Sequence, residues 1–301
     1  MSFFECAAPD CVQSTGAVRQ VIRPHRKNLG EFSVARALPA PDRQMIGPFI
    51  FFDHMGPADF APGQGIQVRP HPHIGIATIT YLFEGLIMHR DSLGYQQPIE
   101  PGAVNLMVAG RGIVHSERAG EDLGRQSRLH GIQSWLALPD AELERDPSFT
   151  HYPAAQIPSV LQDGVEVTVI IGEAFGQCSP VSRFAETLYL EVRMAAGSRV
   201  AIPSLVTEAG VYVVDGELRA NGHELRSGEL TVMSDRAAMD IEALTACRLM
   251  VVGGEPVGPR ILWWNFVAAT QARIDQAGQE WLGGGFDRID GDDEFIPLPE
   301  R

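Results

Sequence analysis

The residues able to do chemistry in this chain fall in two short stretches. "RPHPHIGIATIT" (69–80) sets His71 and His73 two apart, and "GRGIVHSE" (110–117) sets His115 and Glu117 two apart. In a strand, residues i and i+2 point to the same face, so each pair would project side by side. If the two strands are neighbours in a barrel, three imidazoles and one carboxylate meet. That donor set suits Fe(II), Mn(II), Ni(II), Co(II) or Zn(II). Four protein ligands on an octahedral ion leave two positions open, one for substrate and one for O₂ or water. A structural zinc site would instead close a tetrahedron, usually with thiolates.

Other chemistries fit worse. His115, Ser116 and Glu117 have the residue types of a hydrolytic triad, but on a strand Ser116 turns away from both neighbours. "GRGIVH" is not G-x-G-x-x-G, and no G-x-x-x-x-G-K-[ST] occurs. His54, His89 and His130 read as structural histidines. Gln133 and Trp135 alternate on one face of "GIQSWLALP" (131–139) and are candidates to line the cavity. Ala77, four residues after His73, is expected to face inward if the strand runs on without a break.

The elements that must position these groups are strands. "GPFIFFDHMGP" (47–57), "TITYLFEG" (78–85), "LIMHRDS" (86–92) and "AVNLMVAG" (103–110) are rich in β-branched and aromatic residues. Turn residues separate them at Glu84-Gly85, Ser92-Leu93-Gly94 and Pro101-Gly102. Many short strands with regular turns predict an all-β sandwich or barrel. Residues 1–145 are expected to form an N-terminal, metal-binding barrel. The polar, proline-containing region 146–164 is expected to be a linker. Strands resume in 165–301, where "VYVVDGEL" (211–218) echoes "TYLFEGLI" (80–87), as a duplicated barrel would. A helix is expected near 270–282, with Ala272, Ile274, Ala277 and Trp281 roughly on one face. After the linker the second half has one histidine, His223, so its barrel is expected to hold no metal.

The chain has 301 residues and a formal net charge of −14. That balance argues against direct nucleic-acid binding, which needs cations to displace counterions, and against docking on an anionic membrane. The local cluster Arg19, Arg23, Arg26 and Lys27 reads as a solvated strand. Cys6, Cys11, Cys178 and Cys247 form no C-x-x-C pair and suggest no disulfide framework. No basic n-region with an apolar h-region is visible at the N-terminus, and no apolar run reaches membrane-spanning length. The expected compartment is the reducing cytoplasm.

The sequence resembles the pirin family of bicupins in "FFDHMGP", "HPHIG", "TITYLFEG", "HRDSLG", "PGAVNLMVAGRGIVHSE" and "GIQSWLALP", and further in "GEAFG" (172–176) and "WWNFV" (263–267). The resemblance runs from about residue 20 to about 285. It implies two cupin, jelly-roll-type barrels packed face to face, with a metal, usually iron, in the N-terminal barrel alone. The ligands it implies are His71, His73, His115 and Glu117. Where pirins commonly read "HPHRGFETVTY", this chain has Ile74 for the basic residue and Ala77 for the glutamate. The activity implied is that of a quercetin 2,3-dioxygenase-type enzyme acting on a small aromatic substrate, with Glu117 taking the 3-hydroxyl proton. The alternatives are a redox-sensing regulator that binds a protein partner, and a zinc or nickel hydrolase or isomerase.

Overall fold

The computed structural model describes residues 10–13, 16–28, 30 and 32–300. Cys6 and the rest of the N-terminal stretch read above for a leader lie outside them.

Two antiparallel β-sandwiches account for most of the fold. In the first, a seven-stranded sheet runs in the order Ser148–Tyr152, Val104–Val108, Ile76–Glu84, Ser127–Ala137, Phe49–Phe60, Ser33–Leu38, His25–Asn28. A four-stranded sheet faces it, in the order Gln67–His73, Ile113–Arg118, Ile87–Asp91, Gln96–Ile99. The second sandwich repeats this plan with sheets of eight and four strands.

The barrels pack through their large sheets. Phe49 stands edge-on to Tyr189 with ring centroids 5.3 Å apart, and Phe52 tilts against Tyr212 at 5.0 Å. The Tyr81 hydroxyl donates to Glu191 across the same interface at 2.6 Å. This arrangement explains why the run 76–82 is apolar or threonine throughout rather than alternating. One face of that strand lines its own barrel and the other packs on the partner barrel, so every residue from Ile76 to Leu82 is buried.

The sheet pairing departs from the expected boundaries in two places. The region 146–164 is not a plain linker. Ser148–Tyr152 pairs with Val104–Val108 at the edge of the first barrel, and Ser159–Gln162 pairs with Val165–Ile171 at the edge of the second. Edge strands tolerate proline and polar residues on their free side, which is why the composition resembled a linker. Second, Asp10–Gln13 and Val18–Arg23 belong to the second barrel, where Val18–Arg23 pairs with Leu230–Met233. Val18 and Ile22 are buried, Arg19 and Arg23 are exposed, and the two arginines pair with Asp235 and Glu229. The basic cluster is therefore divided between two sheets, since Arg26 and Lys27 lie on His25–Asn28 of the first barrel.

The helix spans Gln271–Leu282, with the Thr270 hydroxyl capping the Arg273 amide. Its buried positions are Ile274, Ala277 and Gly278, at helical spacing, with Trp281 half-buried one turn on. Ala272 is exposed, contrary to the expected face. No helix among the described residues is long and apolar enough to cross a membrane.

Candidate metal centre

Strand pairing brings the two stretches together. Gln67–His73 runs antiparallel to Ile113–Arg118, with His71 directly opposite His115 and His73 opposite Ile113. A bulge after His115 then shifts the register, so that Glu117 lies opposite Val68. On the other side of the same strand, His115 faces Asp91 and Glu117 faces His89.

His71, His73 and His115 form one buried cluster, with one ligand nitrogen from each lying within 4.8 Å of the others. The backbone fixes two of the tautomers. Nδ1 of His71 donates to the Arg69 carbonyl at 2.9 Å, and Nδ1 of His73 donates to the Asn265 carbonyl at 3.1 Å. A carbonyl only accepts, so both protons sit on Nδ1 and both Nε2 atoms carry lone pairs. Asn265 belongs to "WWNFV", which gives that stretch a role at the site. The Nε2 atoms of His73 and His115 are 3.1 Å apart, and His115 Nδ1 is buried with no hydrogen-bond partner.

Burial lowers the His71 pKa to about 4 and holds His73 and His115 well below the ordinary histidine value. The imidazoles are therefore neutral near pH 7, and no proton competes for their lone pairs. Converging neutral imidazoles and an orphaned ring nitrogen, all shut away from water, fit a divalent transition-metal ion. The backbone carbonyls on Nδ1 play the orienting role that such sites require.

Glu117 is on the same strand as His115 and is equally buried, but it is not part of the three-imidazole cluster. Gln133 donates Nε2–H to its carboxylate at 2.8 Å, and the Thr80 hydroxyl contributes at 3.4 Å. Both come from the large sheet, so the carboxylate lies between the sheets. Burial pushes its pKa up, and the two donors partly offset this.

Trp135 lines the same interior, edge-on to His73 at 4.9 Å and stacked on Phe51 at 4.0 Å. His89, set aside in the sequence as structural, is next to the cluster, its ring 5.4 Å from that of His115. It hydrogen-bonds Asp91 at 2.9 Å and stacks on Phe149. The overlooked signal was H-x-D at 89–91, the same two-residue spacing as the other pairs.

His54 and His130 lie elsewhere. His54 bridges the Tyr212 hydroxyl, 2.9 Å away, and His130 Nε2, 2.8 Å away, at the contact between barrels. His223 is exposed on the small sheet of the second barrel, and among the described residues that barrel has no comparable cluster.

Ala77 does not face the centre. It packs in the core between the barrels, with Tyr189 and Tyr212 in the same cluster. The expected orientation assumed one continuous strand. Instead Gly75, at φ +69°, turns the chain between the small sheet and the large one and resets the alternation. A Cβ there would also collide with the Val267 carbonyl. Ile74 is buried against Phe266 and Ile274, where the burial of a basic side chain would be costly.

Two jelly-roll sandwiches joined through their large sheets, one with imidazoles converging between its layers, define a bicupin. The chain belongs to the pirin family: the Pirin family model matches residues 31–136, and that of the pirin C-terminal cupin domain matches residues 189–287. It is 44% identical over 284 residues to a pirin-like protein of Caulobacter vibrioides, covering 93% of this chain and 99% of that one. The crystal structure of a quercetin 2,3-dioxygenase from Acinetobacter baumannii is similar with a TM-score of 0.87 and 37% identity, over 94% of this chain and 95% of that one. A bacterial pirin from Escherichia coli, solved in complex with nickel(II), shares the fold at a TM-score of 0.61 and 19% identity, over 77% and 96% of the two chains.

Proposed function

We propose that this chain is a metal-dependent dioxygenase that cleaves small aromatic enols of the flavonol type, of which quercetin is the model substrate. The metal is one divalent ion in the N-terminal barrel, Fe(II) first, with Ni, Mn, Co or Zn as alternatives. It would be held by His71, His73 and His115, with Glu117 as the fourth ligand. The observation that carries the reading is the buried three-imidazole cluster beside a buried carboxylate, in a chain 37% identical to a quercetin 2,3-dioxygenase.

When bound, such an ion supplies open coordination positions and the redox chemistry that links an enolate to O₂. The residues supply the rest. Glu117, its basicity raised by burial, takes the 3-hydroxyl proton of the substrate. Gln133 and Thr80 hold that carboxylate in place from the opposite sheet. Trp135 and Phe51 present an apolar wall that keeps bulk water from the reacting groups.

The test is metal analysis of the purified chain beside O₂ uptake with quercetin. One equivalent of iron with O₂ consumption is the expected result. Iron without O₂ consumption refutes the enzyme reading and leaves a metal-dependent regulator that binds a protein partner. Zinc or nickel with no oxygen dependence leaves a hydrolase or isomerase.

A further inference from the structure

We propose that the cavity beneath the C-terminal segment is a second ligand site, one that takes an organic cation of the quaternary-ammonium type. The site is separate from the imidazole centre. Its floor includes Pro70 and Val114, the residues just before His71 and His115, which alternate to the outer side of the small sheet. Its volume is about 560 Å³, within the range of small-molecule pockets.

Three observations select the ligand class. The first is aromatic geometry. Trp281, Phe286 and Phe295 line the cavity. The rings of Phe286 and Phe295 stand at 79° and 72° to that of Trp281, with centroids 5.9 and 6.3 Å from it. One face of Phe286 is stacked on Phe266 at 6.2 Å, and the three rings together put π surface on the lining beside its carboxylates, the combination that attracts ammonium groups.

The second is charge. Asp287, Asp292, Asp293 and Glu294 line the cavity, and Arg288 is its one basic lining residue. Arg118 reaches Asp292 at 3.0 Å and Glu294 at 2.6 Å. The four carboxylates outnumber these two arginines by two, which disfavours an anion. The net charge of the chain, −14, acts in the same direction.

The third is that the segment forming the roof is held in place. Trp281 donates its indole N–H to the Ile296 carbonyl at 3.1 Å, and the Ile296 amide donates to the Pro70 carbonyl at 2.8 Å. Phe295, next to this anchor, is nonetheless 58% exposed, and Leu282 at the mouth is 64% exposed. A bound organic cation would cover both.

The test is calorimetric titration of the full chain, metal-loaded and metal-stripped, with benzyltrimethylammonium. Phenylmethanesulfonate, which has the same aromatic body and the opposite charge, is the comparison. The expected result is saturable binding of the cation in both metal states, at least tenfold tighter than the anion. Phe295→Ala should weaken it about fivefold or more, with an unchanged thermal midpoint because the ring is exposed. Asp287→Asn with Asp293→Asn should weaken it and reduce its salt dependence. The proposal is overturned by an absence of saturable binding, by equal affinity for the anion, by unchanged affinity in Phe295→Ala, or by binding that disappears with the metal.

Discussion

His54 makes the contact between the barrels sensitive to acid. Burial, followed by the charges of His130, Arg248 and Arg26, lowers its pKa from 6.5 to about 3. The unfolded chain therefore takes up a proton at this residue as pH falls through 6.5, whereas the folded chain does so only near 3. Stability attributable to His54 is whole above about pH 6.5 and is lost between 6.5 and 3, at about 1.4 kcal/mol per unit. At pH 5 the loss is about 2 kcal/mol. Urea unfolding of the wild type and of His54→Gln, at pH 8 and at pH 5, measures this loss. The variant should be less stable at pH 8, since it disturbs the bonds to Tyr212 and His130. Its further loss on going to pH 5 should be smaller than the wild type's by about 2 kcal/mol. The buried histidines that do not touch His54 contribute to both slopes and cancel in the difference. Equal slopes in the two proteins would show that His54 is protonated in the folded state, or that the contact opens before it titrates.

His71→Ala and His115→Ala should each abolish metal loading measured by plasma mass spectrometry, whereas His223→Ala, on the exposed sheet of the other barrel, should leave it intact. Gln133→Leu removes the closest donor to Glu117, and should retain the metal while O₂ uptake with quercetin falls about 10–100-fold; unchanged turnover would remove Glu117 from the chemistry. Ala77→Glu puts a carboxylate into the sealed core between the barrels. It should cost about 3 kcal/mol or more in urea unfolding, and a fully stable variant with altered kinetics would return Ala77 to the metal cavity.

The three-imidazole cluster was legible because strand alternation is a short-range rule, which each H-x-H or H-x-E pair obeys within three residues. The same rule failed at Ala77, where it was carried across Gly75 and so across a change of sheet. His89 was read as a structural histidine because it was weighed alone, without Asp91 two residues on in the same strand. The helix was legible in its extent and not in its full face, because Gly278 has no side chain to signal burial and Ala272 is as compatible with water as with a core. The edge strands in 146–164 were obscured by their own composition, since an edge needs half the hydrogen bonds and less apolar surface than a central strand. Nothing local in Val18–Arg23 indicates that its second partner, Leu230–Met233, lies some two hundred residues away.

That last pairing sets an order of events during synthesis. Residues 25–152 contain every strand of the first barrel's sheets and can close among themselves as they emerge. Val18–Arg23 is made before any of them, and although Asp10–Gln13 can pair with one of its edges at once, the other must stay open until Leu230–Met233 appears. At about 5–20 residues per second, that wait is on the order of 10–40 s. Throughout it, the apolar positions Val18 and Ile22 precede an already folded domain with an open strand edge. A nascent chain stalled between the barrels would thus be vulnerable to edge-to-edge association through its earliest residues, even though the domain it had just finished was sound.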